Sequence, residues 1–457
     1  MKLRNFMYAT MIACTFASCS KDDVNGPDNG GQQGGGDATL EVNLNIKATK
    51  ALNGDGAGDA TINNLTLIVF NGNTAEAVVT TNGTDNKGSG AVSVKTIVSG
   101  GQKTVTLLAN ASSILSANHF TKGSSLSDLA NIKNTLSNEG SENLTMNSAL
   151  YTVALTPGKV NYLGYSAVSG VDAVDLNTQV GTVNNTSLTN GVTLYRNVAK
   201  ICLNNVEFDV DNNKYPNASF SLSKVFVLHA KQNTSIYNAK EWGTTEADAV
   251  YFNGVANDTY EDYVSTMAEL LKNDAFKTIF GYITDNTGDV YSLFTTTADL
   301  ALTKDRTFAF SSNNKVLTGA DGAALETFYV YENTNDATKS AAEVTSTMLV
   351  LEGTFASDGI SETRYYSLAI GRTATDGIPV TFNDAYTFSG RTTSKSIPDV
   401  LRNLQYNVNL KIKGMGYTTP FGPGNKGGDN PDGSDNAVLD VQCQVAAWGE
   451  VNQAPEI

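Results

Sequence analysis

The stretch Leu439-Asp-Val-Gln-Cys-Gln-Val-Ala-Ala447 places Leu439, Val441, Cys443, Val445 and Ala447 on one face and Asp440, Gln442, Gln444 and Ala446 on the other. A period of two over nine residues marks a half-buried β-strand, and Trp448 follows at its end. Before it, residues 419–436 hold eight Gly or Pro among 18. That composition buries little and predicts an extended tether, able to span about 60 Å when fully stretched. Two readings follow from this stretch alone. Either the strand pairs back onto its own sheet, or it is delivered to another molecule.

The other end of the chain carries a counterpart. Leu40, Val42, Leu44, Ile46 and Ala48 alternate with Glu41, Asn43, Asn45 and Lys47, again nine residues with one apolar face. After Lys50 comes Ala-Leu-Asn-Gly-Asp-Gly-Ala-Gly-Asp-Ala, a small polar loop of the kind proteases nick. A trypsin-like enzyme would cut the Lys50–Ala51 bond, with Lys47 as the lesser site. Two similar strands, one removable and one tethered, favour delivery to another molecule.

Further upstream, Lys2 and Arg4 precede the apolar run Phe6 to Phe16, which is too short for a resident membrane span. Phe16-Ala17-Ser18-Cys19 resembles a bacterial lipobox. Residues 1–18 therefore read as a lipoprotein signal peptide, and Cys19 as an acylated residue that anchors the precursor to the outer membrane by several chains. The Ser-Lys-Asp-Asp that follows resembles the acidic tract of Bacteroidetes lipoproteins displayed at the cell surface. Val24 to Asp37, with six Gly, is a tether. With Cys14 removed, Cys202 and Cys443 are left. A disulfide between them would tie the last strand to its own chain, so both are expected to remain thiols in an assembled form.

Composition narrows the rest. The chain has 457 residues, room for two or three domains. Only 17% are charged, and short runs of Val, Ile, Leu, Tyr and Phe punctuated by Gly and Asn read as all-β. A net charge of -15 with no basic cluster argues against a nucleic-acid partner. Two His and four Cys, with no CxxC or HxxxH spacing, argue against a metal or a Cys/His catalytic site. Asp209-Val-Asp-Asn-Asn213 begins like a calcium loop. Lys214 stands where the turn needs Gly, and Phe220 where a bidentate Glu is needed, so it reads as a polar turn. His119 and His229 form no triad signature. Trp242, near Tyr237 and Tyr251, suits core packing better than a sugar-binding patch. No cofactor and no enzymatic activity are expected.

Strand patterns divide near residue 190. The first region, 51–190, has strands at 62–70, 103–110, 150–155 and 160–166 and a weaker one at 91–98. Its helix is expected over 125–136, capped by Ser125 with Asp128, with Leu126, Leu129, Ile132 and Leu136 on one face. The second region, 191–418, has strands from Val192 and near 219–230, 327–331, 347–355, 365–370 and 405–413, with an inserted helix at 259–272. Two β-sandwiches in series result, followed by the linker and strand of residues 419–457.

Several segments resemble the FimA/Mfa-type fimbrillin family of Bacteroidales, the pilins of type V fimbriae. They are Ser99-Gly-Gly-Gln-Lys-Thr-Val-Thr-Leu-Leu-Ala-Asn, Arg196-Asn-Val-Ala-Lys-Ile, Phe328-Tyr-Val-Tyr-Glu-Asn and Arg402-Asn-Leu-Gln-Tyr-Asn-Val. The Val441 to Trp448 pattern looks closest to the Mfa branch. The resemblance implies two transthyretin-like β-sandwiches, lipoprotein export and proteolytic removal of the first strand. It also implies polymerisation of identical subunits by strand exchange, with accessory tip and anchor pilins and a host or bacterial surface receptor as partners. The family's best-known members are cut after Arg, whereas Lys50 stands here. A C-terminal donor strand of Leu439, Val441, Cys443 and Val445 favours a shaft subunit; the competing reading is a tip adhesin or a glycan-binding surface lipoprotein.

Overall fold

The computed structural model describes residues 36–47, 58–82, 89–164, 173–177, 181–182, 192, 194–237, 251–252, 302–333, 347–370, 400–417 and 444–447. The strands of the first region are β1 (Asp37–Lys47), β2 (Asn64–Asn71), β3 (Thr74–Asn82), β4 (Ser89–Ser99), β5 (Gly101–Ala109), β6 (Lys133–Thr135), β7 (Met146–Asn147), β8 (Tyr151–Leu155), β9 (Val160–Gly164), β10 (Ala173–Asp175) and β11 (Gly181–Thr182). Two short helices, α1 (Ser112–Ala117) and α2 (Leu126–Asn131), sit between β5 and β6. The second region has β12 (Tyr195–Arg196), β13 (Val198–Phe208), β14 (Ser219–Leu228), β15 (Ala230–Lys231), β16 (Asn233–Ser235), β17 (Tyr251–Phe252), β18 (Thr303–Phe310), β19 (Val316–Thr318), β20 (Glu326–Tyr331), β21 (Met348–Ser357), β22 (Ile360–Ala369), β23 (Leu404–Ile412) and β24 (Gln444–Ala447).

These strands make the all-β architecture expected from the sequence. In the first region one sheet runs β10-β9-β1-β4 and the other β11-β8-β5-β2-β3, with β7 bridging β5 to β12. In the second region the sheets run β19-β13-β23-β24, with β20 also on β13, and β18-β14-β21-β22. Inward residues of the paired sheets share one hydrophobic cluster, from Leu40, Leu67 and Val105 to Ile201, Phe220, Leu351 and Val408.

β2 shows why its sequence reads as an unbroken apolar run. Leu65, Leu67 and Val69 face the sandwich interior, while Ile68 and Phe70 face a second cluster with Leu115 of α1 and Leu129 of α2. A strand covered on both faces loses the alternation of a half-buried one. At the β21–β22 turn, Ser357 pairs with Ile360 across Asp358 and Gly359, whose φ values are 45° and 81°. Positive φ at both central positions is what a tight hairpin of this kind requires.

The helix expected over 125–136 is shorter than its apolar spacing suggested. It starts as read, because Asp128 N donates to Ser125 Oγ at 3.1 Å and Ser125 N donates to Asp128 Oδ2 at 2.7 Å, a capping box. It ends at Asn131 because residues 133–135 leave to pair with residues 233–235. Ile132 and Leu136 are buried all the same, outside the helix. The helix expected at 259–272 lies outside the described residues.

Candidate functional site at the N-terminal strand

β1 is an interior strand. It runs antiparallel to β4 along its whole length, from Asp37↔Ser99 to Lys47↔Ser89, and parallel to β9 from Thr39↔Val160 to Asn43↔Gly164. The alternation of its sequence turns Ala38, Leu40 and Val42 inward, at 1%, 0% and 0% exposure, into the cluster that holds Val94, Val98, Val153 and Leu163. Opposite them, Glu41 pairs with Lys95 at 3.4 Å. Lys95 is largely exposed, so this pair adds little.

The start of β1 is pinned by backbone. Gly100 N donates to Gly36 O at 2.9 Å, and Gly158 N to Asp37 O at 2.8 Å. Asn161 Nδ2 donates to Thr39 O at 3.1 Å. A Cβ on Gly100 would lie 2.5 Å from Pro157 Cγ, so the close approach of the three chain segments needs glycine there. Although β1 lies between two neighbours, it is the first strand in the described chain. It can therefore depart without severing any other strand. Its departure would bare the facing N–H and C=O groups of β4 and β9 and an apolar floor, which is costly to leave uncovered.

At the other end, among the described residues β24 lies on the outer edge of its sheet, antiparallel to β23, with Tyr406 opposite Val445 and Leu404 opposite Ala447. In the single chain the last strand thus pairs back on its own sheet over residues 444–447. Of the expected donor residues, Val445 falls in this strand. Leu439, Val441, Cys443 and Trp448 lie outside the described residues, as do Cys19, Lys50 and Ala51. Cys202 is buried in β13.

A buried polar junction between the regions was not read from the sequence, although the motif segments supply most of it. Lys200 Nζ lies 2.6 Å from Asp59 Oδ2, and Tyr329 OH donates to Asp59 Oδ1. Arg196 Nε donates to Asp59 O at 2.7 Å. Lys200 and Tyr329 are opposite one another in the β13–β20 ladder, which is why both reach one carboxylate. A second node is Glu139, which accepts hydrogen bonds from Thr145 N, Thr145 Oγ1, Asn134 Nδ2 and, from the second region, Tyr331 OH at 3.0 Å. In a third, within the second region, Arg402 Nε and Nη2 each lie 3.2 Å from a Glu332 oxygen and Nη1 donates to Asn197 Oδ1 at 3.1 Å, while Asn197 Nδ2 crosses to Thr145 Oγ1 at 3.1 Å.

Burial is the main force on the acid–base properties of these groups. It pushes the Glu139 carboxyl above its usual range, against the four hydrogen bonds it accepts. Burial, then the adjoining carboxylates Asp59 and Glu139, push the Tyr329 and Tyr331 phenols well up. Both phenols stay neutral at physiological pH and serve as donors. The junction is built to hold, with each carboxylate satisfied.

The remaining candidates are ordinary. Asp209 pairs with Lys413 at one rim of the second region, and Asp211 Oδ1 accepts from Asn213 N at 2.9 Å, a polar turn. Among the described residues no group of three or more His, Cys, Asp or Glu side chains could hold a metal. His119 is exposed and His229 buried, in separate regions. Tyr237 is buried with Ile236 against Leu129 and Ile132, and Trp242 lies outside the described residues.

Residues 38–196 match the family model described as major fimbrial subunit protein (FimA). The chain is 24% identical to the major fimbrium subunit FimA type-2 of Porphyromonas gingivalis, over 99% of both chains. It is 26% identical to the FimA type-4 subunit of the same organism, also over 99% of both. Among solved structures, a fimbrilin (FimA) from Porphyromonas gingivalis W83 aligns with a TM-score of 0.52 at 21% identity, covering 91% of this chain and 99% of that one. A cell adhesion protein from Parabacteroides distasonis aligns with a TM-score of 0.54 at 23% identity, covering 90% and 100%. The resemblance to fimbrillins seen in the sequence motifs therefore extends over nearly the whole chain, and its curated relatives are fimbrial subunits. The leaning towards the Mfa branch rests on residues 441–448, of which 444–447 are described.

Proposed function

We propose that this chain, similar from end to end to FimA subunits, is a shaft pilin of a cell-surface fimbria that polymerises by strand exchange. The precursor is exported as a lipoprotein acylated at Cys19. Cleavage between Lys50 and Ala51 then releases residues 19–50 from the sandwich of residues 51–190. The strand of Leu439, Val441, Cys443 and Val445 from a neighbouring subunit fills the vacated slot, with Trp448 at its far end and residues 419–436 as the reach between subunits. Residues 191–418 are the second sandwich. Accessory tip and anchor pilins terminate the filament, and a surface receptor is engaged from it.

The observation that carries this reading is the position of β1, an interior strand with buried Ala38, Leu40 and Val42 that nevertheless begins the described chain. A strand that precedes all other described strands can be released by one cut beyond it, and an interior strand leaves a slot that a foreign strand can fill. The edge position of β24 supports it from the other side. An edge strand leaves its sheet by giving up one ladder, whereas an interior strand must give up two. Deleting residues 437–457, or Val441→Asp, should leave a folded monomer that does not elongate, while a Gly inserted within 419–436 is tolerated. Negative-stain microscopy of cells and size-exclusion of the purified chain read this out. Filaments of normal length from the deletion variant would refute the proposal.

A further inference from the structure

Loss of β1 poses a problem that the slot alone does not solve. Residues 51 onward would then begin the chain, and a new chain end frays unless something holds it. We infer that Asp59 is the peg that holds it: the side chain at which the shortened chain is fastened to the rest of the subunit, so that opening of the slot stops short of β2. This inference rests on the exchange reading above.

The geometry around residues 58–63 is that of an anchorage. Asp59 is 1% exposed, and three side chains from the second region hold it. Lys200 and Tyr329 take its two carboxylate oxygens, and Arg196 takes its backbone carbonyl. On the neighbouring side, a Cβ on Gly58 would lie 2.7 Å from Ser141 O and 2.8 Å from Glu142 Cγ, so the chain is pressed on that loop. Immediately after it, Asn110 Nδ2 donates to Thr61 O at 2.8 Å, and Asn63 N donates to Asn110 Oδ1 at 2.8 Å. In a chain beginning at Ala51, Asp59 is the ninth residue, ahead of every strand of the remaining sandwich.

Its partners matter as much as its burial. None of the groups that hold the Asp59 carboxylate lies in the sheet that loses β1. Lys200 is on β13 and Tyr329 on β20, in the other region. The peg is therefore insulated from the disturbance it must withstand. A buried carboxylate is suited to the task, since its charge-assisted contacts fix direction as well as distance, and losing the partners would leave a charge unmatched.

The test is hydrogen exchange read by mass spectrometry on the full chain after trypsin has cut at Lys50 and fragment 1–50 has been displaced. Wild-type protein is compared with Asp59→Ala and with Tyr329→Phe, which removes one contact only. If the fragment stays bound after cutting, the fault lies with the exchange reading; the slot is then emptied by deleting residues 1–50 from the gene, and the same comparison decides. In the emptied wild type, peptides covering 58–64 should remain protected. Asp59→Ala should accelerate their exchange at least tenfold, Tyr329→Phe less, with β14 and β21 unchanged. Three outcomes would overturn the inference: emptied wild type losing protection through 58–64, Asp59→Ala leaving it intact, or Asp59→Ala loosening β14 and β21 as much as 58–64.

Discussion

Arg402 meets Glu332 through two hydrogen bonds of 3.2 Å, with both side chains at 4% exposure or less. They lie 70 positions apart in sequence. Removing either partner leaves a buried, unmatched charge. Arg402→Met or Glu332→Gln should each cost about 3–5 kcal/mol in urea unfolding of the full chain. Replacing both by apolar residues should recover much of that loss, and Arg402→Lys should not rescue, because one ammonium cannot reproduce the fork.

Leu40 is fully buried in β1. Leu40→Ala should lower the stability of the uncut chain by about 2–5 kcal/mol, seen as a lower urea midpoint. Once β1 has been removed the residue is gone, so filaments assembled from this variant should dissociate at the same denaturant concentration as wild-type filaments. A difference between the two filaments would place β1 in the assembled form.

The proposed cleavage after Lys50 fixes where the assembled subunit would begin. N-terminal sequencing of filaments should begin at Ala51. The double variant Lys47→Ala, Lys50→Ala should accumulate as monomer, with its first strand retained.

Acylation is tested before assembly. Cys19→Ala should abolish labelling of the precursor by a palmitate analogue and hold it upstream of the cell surface, as fractionation and surface proteolysis report.

Burial raises the Glu139 carboxyl pKa above its usual value, whereas in the unfolded chain it returns to about 4.3. A group of this kind holds its proton more tightly when folded. Its stabilising contribution is complete below the unfolded value and is lost as pH rises through the folded one. Glu139→Gln has no such titration. The urea midpoint of wild type relative to Glu139→Gln should therefore be more favourable at pH 4 than at pH 7.

The sequence exposes those features whose physical cause is local. Alternation marked β1, and β5, β21 and β23 fall within a few residues of their expected spans, whereas the run read from Val192 splits into β12 and a β13 that starts at Val198. Ser125 and Asp128 announced a helix start because a capping box is complete within four residues. The end of that helix was not legible, since it depends on residues 233–235 arriving from about a hundred positions away. β18 was missed for a different reason: in Thr-Lys-Asp-Arg-Thr-Phe-Ala-Phe, charges and small residues dilute the apolar pattern. The junction was hidden most deeply. Tyr329 and Asp59 are 270 positions apart, and Lys200 and Asp59 141. The motif residues were visible as words, but their meeting point is a property of the fold.

β1 has a parallel neighbour on one side and an antiparallel neighbour on the other. Whichever way a replacing strand ran, it would still meet one parallel and one antiparallel border. Under strand exchange, the slot and the strand that fills it belong to different parts of the subunit. Each subunit would then join its neighbour head to tail, through two unlike surfaces, in a contact that never closes on itself. Such a fibre would have a sense of direction, with one end that accepts new members and one end that does not. A slot in one place and a strand in another would be enough to give the whole fibre a front and a back.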